Sequence, residues 1–284
     1  MSPIDLISVI VTTYNRSDAV IQVLKGLAQQ GDSNFEVVIA DDGSNEEHRD
    51  AIRAAARGSG LHVIHVWHPD IGFTASRVRN RGVSVSQGDY ILLLDGDCVP
   101  ETDFVSRHRR LREKGCFVNG SRVLLSPALT KSVLTDLGQV FGRSAWYWVR
   151  KRWAGEASKL AGLLRLPDFA WRKRKAFFWR GIRSCNMGVW RADFEAVNGF
   201  DESFVGWGHE DADFVLRLHN LGVVRKNGFY STEVYHLWHA EASRGRESVN
   251  AERVRERMGT HQVRSTVGYL ESMGGTDMVV NRLE

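Results

Sequence analysis

Hydrophobic positions change period repeatedly along the first hundred residues, and each change marks an element. Ser8–Thr13 (SVIVTT) is a short β-branched run of the kind that buried parallel strands use. Ser17 and Asp18 then offer a helix N-cap, and Val20, Val23, Leu24 and Leu27 fall at helical spacing. Glu36–Ala40 (EVVIA) reads as a second strand, ending at Asp41-Asp42-Gly43-Ser44, and His62–Trp67 as a third. A helix is expected over Thr74–Ser86, with Ala75, Val78, Gly82 and Val85 on one face. Tyr90–Leu94 (YILLL) is the next buried strand, and it runs directly into Asp95-Gly96-Asp97.

Repeated strand–helix–strand units imply a parallel sheet with right-handed crossovers, and in such sheets ligands bind at the carboxyl ends of the strands. Polar groups stand at three of those ends: Thr13-Tyr14-Asn15, Asp41-Asp42 and Asp95–Asp97. No GxGxxG follows a strand and no GxxxxGK[ST] occurs, so the dinucleotide and P-loop fingerprints are missing. The stretch from 125 to 183 loses the alternation and reads as irregular and helical. Order returns at Cys185–Arg191 (CNMGVWR). A further helix is expected where Phe214, Val215, Leu218 and Leu221 share a face and Gly222 closes it. The strand-like Glu233–Leu237 leads into His236-Leu237-Trp238-His239, and the charged tail from Glu241 is expected to be helical in part.

With 284 residues, 43% of them hydrophobic, the chain can build one large domain with an appendage. The pattern divides it into one unit over 1–240 and a tail over 241–284 packed on it. Within the unit, an alternating first part covers 1–124, a basic aromatic segment 125–183 and a second ordered part 184–240. The net charge of +4 is modest but uneven. Between Arg143 and Arg183 stand 12 Lys or Arg against two acids, with five of the nine tryptophans. Such a segment usually faces something anionic or amphipathic, and docking on an anionic membrane surface or a lipid-linked acceptor is one expectation for it. An acceptor-side flap with solvated arginines is the other. No apolar run approaches the ~20 residues of a membrane span, and Met1 to Asp5 lacks a secretory pattern. Cys98, Cys116 and Cys185 have no metal-ligand spacing and suit a reducing compartment. The expected location is therefore cytoplasmic, including the inner face of the cytoplasmic membrane.

Asp95-Gly96-Asp97 sets two carboxylates at the end of a buried strand. Mg2+ or Mn2+ binds carboxylates together with phosphate oxygens, and the intervening glycine would let backbone and phosphate approach closely. A solvated Asp-Gly turn uses the same residues, but the position after YILLL favours the metal. Asp42 could accept the imide N–H of uracil or hold a ribose hydroxyl, but taken alone it is better accounted for by a turn with a helix N-cap. Glu210-Asp211 stand at a helix start, where the dipole stabilises acids and lowers their pKa. A catalytic base there depends on geometry. Trp207 beside them suits stacking on a sugar ring or core packing. His236 and His239 offer imidazoles to Mn2+ or form a partly buried pair at a strand end. Arg77, Arg79 and Arg81 could meet a diphosphate or be solvated.

The order of these elements resembles the family 2 inverting glycosyltransferases of the GT-A fold. The opening SVIVTTYNRSDAV, then ADDGS, GFTASRVRNRG and YILLLDGD carry the resemblance in the first half. In the second half, CNMGVWRADFEAVNGFDESFVGWGHEDADFVLRL and YHLWH are similar to the subgroup of galactosyl- and chondroitin-type transferases. The resemblance covers about residues 5 to 240 and is weaker from 125 to 180. It implies an α/β fold, a Rossmann-like, mostly parallel sheet flanked by helices, with a helical or irregular basic insertion and a C-terminal helical tail.

The resemblance also implies roles, making 1–240 a catalytic domain with a nucleotide-binding half over 1–124 and an acceptor-binding half over 184–240. Asp42 would bind the uracil of a UDP-sugar, with Thr13, Tyr14 and Asn15 lining the base pocket and Arg79 near the diphosphate. Asp97 of the DXD motif would bind Mn2+ or Mg2+, with Asp95 close to the ribose or the metal's waters. His239 would be the late metal ligand, with His236 as the alternative. Asp211 would be the catalytic base, Glu210 would hold the acceptor, and Trp207 and Asn186 would contact it. The implied reaction is a single displacement that passes a hexose or N-acetylhexosamine to a hydroxyl of a carbohydrate or lipid-linked glycan, in a polysaccharide or lipopolysaccharide pathway. His209 departs from the subgroup, which usually has a small residue there, often glycine. Two rivals remain open. A sugar-phosphate nucleotidyltransferase would want a glycine-rich loop where VTTYNRSD stands. A non-enzymatic binder of nucleic acid or membrane would leave the strand-end carboxylates unexplained, and they would repel nucleic-acid phosphates.

Overall fold

The computed structural model describes residues 5–136, 138–160, 165–240 and 247–283. In the first third, β1 (Ile7–Thr13), β2 (Phe35–Asp41), β3 (Val63–Trp67) and β4 (Tyr90–Asp95) alternate with α1 (Ser17–Ala28), α2 (Glu46–Arg57) and α3 (Ala75–Val85). β1 lies between β2 and β4, parallel to both, and β3 lies parallel beyond β2. Helices cover both faces. Val9 and Val11 of β1 pack with Val20, Val23 and Leu27 of α1, while Ile10 faces Val78 and Val83 of α3. Burial on both sides is why these strands read as continuous apolar runs. The periodicity did not single out α2, which buries only Ile52 and Ala56; Asn45 caps it by accepting from the His48 amide.

β5 (Cys98–Pro100), α4 (Phe104–Leu111), β6 (Cys116–Asn119), β7 (Ser121–Leu124), α5 (Pro127–Leu134) and α6 (Ala145–Trp153) follow. Then come β8 (Lys173–Arg174), β9 (Asn186–Trp190), α7 (Arg191–Ala196), α8 (Glu210–Asn220), β10 (Val224–Asn227) and β11 (Glu233–His236). The tail holds α9 (Glu247–Met258), α10 (Tyr269–Ser272) and β12 (Val279–Leu283). The large sheet runs β12-β3-β2-β1-β4-β9-β6-β10-β8, and β5, β11 and β7 form a second, smaller sheet. The fold is the expected mostly parallel α/β sheet flanked by helices, with three reversals. β9 runs antiparallel to β4 and β6, β8 antiparallel to β10, and β12 antiparallel to β3. β12 is a strand the charged tail did not advertise.

Two buried anchors set the position of the functional segments. Trp148 of α6 stacks on Tyr235 of β11 with ring centroids 4.3 Å apart, so part of the basic segment is rooted in the core. Asp213 of α8 pairs with Arg217 at 2.9 Å and with Arg257 of α9 at 2.5 Å. Arg217 also donates to the carbonyls of Val197 and Gly199. Although Arg217 Nη2 is left without a partner, the remaining bonds of this network hold the start of α8 in one register against the sheet.

Candidate active site

The carboxyl ends of the central strands converge because their registers match. Thr13 pairs with Asp41, and Thr12 with Asp95, so all three polar strand ends meet on one edge. Asp95 Oδ1 accepts from Thr12 Oγ1 at 3.0 Å and from Arg79 Nη2 at 3.3 Å. Gly96 donates its N–H to the Thr12 carbonyl at 2.7 Å, and a Cβ there would lie 2.7 Å from that same oxygen. The glycine is thus demanded by the end of β1, rather than by an approaching phosphate. Gly96→Ala should cost roughly 1–3 kcal/mol through forced backbone displacement, measured by urea unfolding.

Asp97 meets the histidines through the second sheet. β5 and β11 pair antiparallel with His236 opposite Cys98, and the Leu237 amide donates to the Asp97 carbonyl at 2.9 Å. This places His239 Nε2 3.3 Å from Asp97 Oδ2 and His236 Nε2 3.7 Å from Oδ1. His239 Nδ1 lies 2.8 Å from the Ala240 carbonyl and must donate to it, so in the neutral ring Nε2 carries the lone pair toward Asp97. A proton or a cation has to stand between two such acceptors. Burial holds His236 below its ordinary pKa, against the pull of Asp97, which favours the neutral, ligating ring. Cys98 is close by, but burial and the neighbouring Cys185 raise its thiol well above its ordinary value, so it stays protonated. Asp95 is turned to Thr12 and Arg79.

At the nucleotide end, Asp42 is buried and accepts from Thr74 through both its backbone N–H, at 2.9 Å, and its hydroxyl. His68 Nε2 lies 3.2 Å from the same carboxylate. Tyr14 is half exposed and donates to Asp70 at 2.7 Å. The Thr13 hydroxyl is buried with no hydrogen-bond partner beneath it. Asn15 instead fastens the two loops together: its Oδ1 accepts from the Asn45 N–H and its own N–H donates to Ser44 Oγ.

Glu210 and Asp211 open α8 as expected, and a cavity of about 630 Å³ connects them to Asp95. Phe73, Trp179, Trp207 and His209 line it, together with Arg79, Arg122 and Arg183. Arg79 is buried and bridges the two halves, donating to Glu210 at 3.0 Å and to Asp95 at 3.3 Å. Burial works against its charge, yet Asp95 and Glu210 hold its pKa above the ordinary value. Neither a solvated helix charge nor an open diphosphate clamp describes it. The helix dipole suggested a low pKa for Asp211, but the reverse holds. Burial and then the adjacent Glu210 push it up to about 7, against Arg79 and the backbone amides of Ala212 and Ser184.

His209 is the N-cap of α8 with φ of 69°, in the left-handed region. That is the physical reason a glycine suits this position. Here the imidazole is set 5.3 Å from the Trp179 ring. The expectation that Asn186 contacts the acceptor is corrected. Asn186 is fully buried, with Oδ1 on His108 and Nδ2 shared between the Ser121 and Thr232 carbonyls. It joins β9 to its neighbours and has no surface to offer. His68, Thr74, Arg122, Arg183 and Trp179 were not foreseen at the site. His68 and Asp70 directly follow β3, so extending the strand-end rule to that strand would have found them. Nothing local in the sequence marks Arg122.

The chain belongs to glycosyl transferase family 2, whose model matches residues 8–165. A second model, described as the N-terminal domain of galactosyltransferase, matches residues 169–240. Validoxylamine A glucosyltransferase of Streptomyces hygroscopicus subsp. jinggangensis is 29% identical over 231 residues, 78% of this chain and 53% of that protein. Chondroitin synthase of Escherichia coli is 27% identical over 255 residues, 84% of this chain and 35% of that one. The chain thus spans about half the length of the first relative and about a third of the second. The mannosyltransferase PcManGT of Pyrobaculum calidifontis, solved with GDP-Man and Mn2+, has a TM-score of 0.53 at 14% identity. That alignment covers 89% of this chain and 69% of that one, and it shows a shared fold. Membership of this family weighs against the nucleotidyltransferase and non-enzymatic readings.

Proposed function

We propose that this glycosyltransferase passes a hexose or N-acetylhexosamine from a UDP-sugar to a hydroxyl of a carbohydrate or lipid-linked glycan, with inversion and with help from a divalent metal. The observation that carries the reading is the single cavity with the strand-end acid Asp95 on one wall and Asp211, its pKa close to neutral, on the other. Asp211 takes the proton of the acceptor hydroxyl as its oxygen bonds to the anomeric carbon and the bond from that carbon to UDP breaks. Attack opposite the leaving group inverts the centre. Glu210, with one oxygen held by Arg79, retains the other for an acceptor hydroxyl. Trp207 and Trp179 offer apolar faces to a sugar ring and exclude water.

Asp97 with His239, and His236 beside it, fits a divalent cation. Two donors ~2.1 Å from one ion at right angles lie about 3.0 Å apart, close to the 3.3 and 3.7 Å separations here. Such an ion, when bound, offsets charge on the departing diphosphate. The Mn2+ held by the related-fold mannosyltransferase supports this choice. That neighbour holds GDP-Man, so UDP preference rests on Asp42, Thr13 and Tyr14. Calorimetric titration of UDP and GDP, each with Mn2+ and then with a chelator, tests the reading. Tight, metal-dependent UDP binding is expected, and no nucleotide binding under either condition would sink it.

We place the catalytic unit at 1–240, with the tail over 241–284 as its packed extension. Among the described residues, no helix is long and apolar enough to cross a membrane. Peripheral docking on the inner face of the cytoplasmic membrane is supported by α6. Trp146 and Trp153 stand seven residues apart on one face, 72% and 88% exposed, with Arg150 between them and Arg152 beside them. The protein should float with vesicles containing phosphatidylglycerol and not with neutral ones, and Trp146→Ala with Trp153→Ala should abolish it. Failure of the unaltered protein to float would remove this part.

A further inference from the structure

The cavity holds more cationic charge than its acids answer. Arg79 is accounted for by Asp95 and Glu210. Arg122 and Arg183 line the same cavity, and neither has a carboxylate within ion-pair distance among the described residues. Arg122 projects from β7 and is half-buried. Its Nη1 donates to the Cys185 sulfur at 3.9 Å, and its Nε is buried with no partner. Behind it, the Lys159 amine sits on Ser121 Oγ, and its pKa is lowered by burial, with Arg183 and Arg122 adding repulsion. Burial works against the charge of Arg122, and Cys185, Cys98, Asp95 and Asp97 hold its pKa above the ordinary value from beyond ion-pair distance; its donors therefore stay charged with no carboxylate paired to them, which leaves them to an incoming anion. The planar fork of arginine suits a phosphate group in particular.

We propose that Arg122 and Arg183 form an oxyanion subsite in the wall of the transfer cavity, which takes a phosphate group of a substrate. The phosphate comes either from the diphosphate of the donor or from a phosphorylated acceptor such as a lipid-linked glycan. This rests on the glycosyltransferase reading of the cavity, and the two are tested separately. The Asp97 cluster supplies no residue to the cavity wall, so the subsite does not need the metal site to be filled.

The test is thermal unfolding of the chelated protein in inorganic phosphate against chloride at equal ionic strength. Phosphate should raise the Tm of the unaltered protein, and Arg122→Gln with Arg183→Gln should remove the rise. Arg122→Lys should keep part of it. Since Arg122 makes no ion pair, Arg122→Gln should leave the Tm in chloride close to that of the unaltered protein, which loss of a purely structural arginine would not. A phosphate effect that is missing in the unaltered protein, or that survives in the double variant, overturns the proposal. With Mn2+ present, UDP and UMP titrations then assign the source. A fall of about tenfold in the UDP-to-UMP affinity ratio in Arg122→Gln places the donor diphosphate there. An unchanged ratio, with the phosphate effect lost, assigns the subsite to the acceptor. If UDP fails to bind the unaltered protein at all, the glycosyltransferase reading has failed rather than the subsite.

Discussion

Asp211→Asn should lower the transfer rate by roughly a hundred- to ten-thousandfold, the range over which a positioned general base acts, while UDP binding with Mn2+ stays near its original strength. The amide matches the carboxylate in size but cannot accept a proton. Asp211 lies in the first turn of α8, whose register is held by the network of Asp213, Arg217 and Arg257, so the exchange leaves the backbone in place. Steady-state kinetics paired with UDP titration separates the two effects. An Asn variant that retains full activity would show that another group takes the proton.

The same carboxyl sets the pH profile. Burial and Glu210 push Asp211 up to about 7, and only the ionised form accepts a proton, so kcat/KM should rise with pH through about 7 and level above it. Stability has the opposite sign. For an acid whose folded pKa exceeds its unfolded value of about 3.9, the folded state binds more protons between those values, and stability falls as pH rises across the window. Asp211→Asn should therefore remove the ascending limb of activity and raise the Tm at pH 8 relative to the unaltered protein. The proposed active site keeps a carboxylate where burial disfavours it, a local conflict of the kind functional sites carry.

Legibility in the sequence follows the length scale of each interaction. β1 to β4 were readable because burial on both faces makes uninterrupted apolar runs, and the strand-end rule then pointed to Thr13, Asp42, Asp95 and Asp97 as candidates gathered at one edge of the sheet. Asp97 and His239 are 142 positions apart, and composition alone left the histidine pair ambiguous; the antiparallel register of β5 with β11 unites them. The role of Gly96 was misread because a local reading looks outward to the ligand, whereas the carbonyl that forbids a side chain belongs to β1. Asn186 was misassigned for a related reason. The resemblance implied a binding role, and only the assembled fold shows that His108, Ser121 and Thr232 consume its hydrogen bonds. The pKa of Asp211 could not be read from the helix dipole, because burial by elements distant in sequence outweighs it.

Asp97→Ala should weaken UDP binding in Mn2+ by at least about a hundredfold, a larger loss than the tenfold to hundredfold typical of removing a residue behind a metal ligand. The variant with Mn2+ should then behave like the unaltered protein with chelator, since both lack the ion between the diphosphate and the strand end. Without a cation, Asp95 and Asp97 present negative charge to a negatively charged nucleotide, and proximity becomes repulsion. The histidines rank by geometry. His239 aims a lone pair at the site because its other nitrogen is committed to Ala240, and it lies closer to Asp97 than His236 does. His239→Ala should therefore cost more UDP affinity than His236→Ala, with each titration run at a series of Mn2+ concentrations. If Asp97→Ala binds UDP as the unaltered protein does, the metal assignment fails. If His236→Ala is the more damaging change, the assignment of the late ligand passes to His236.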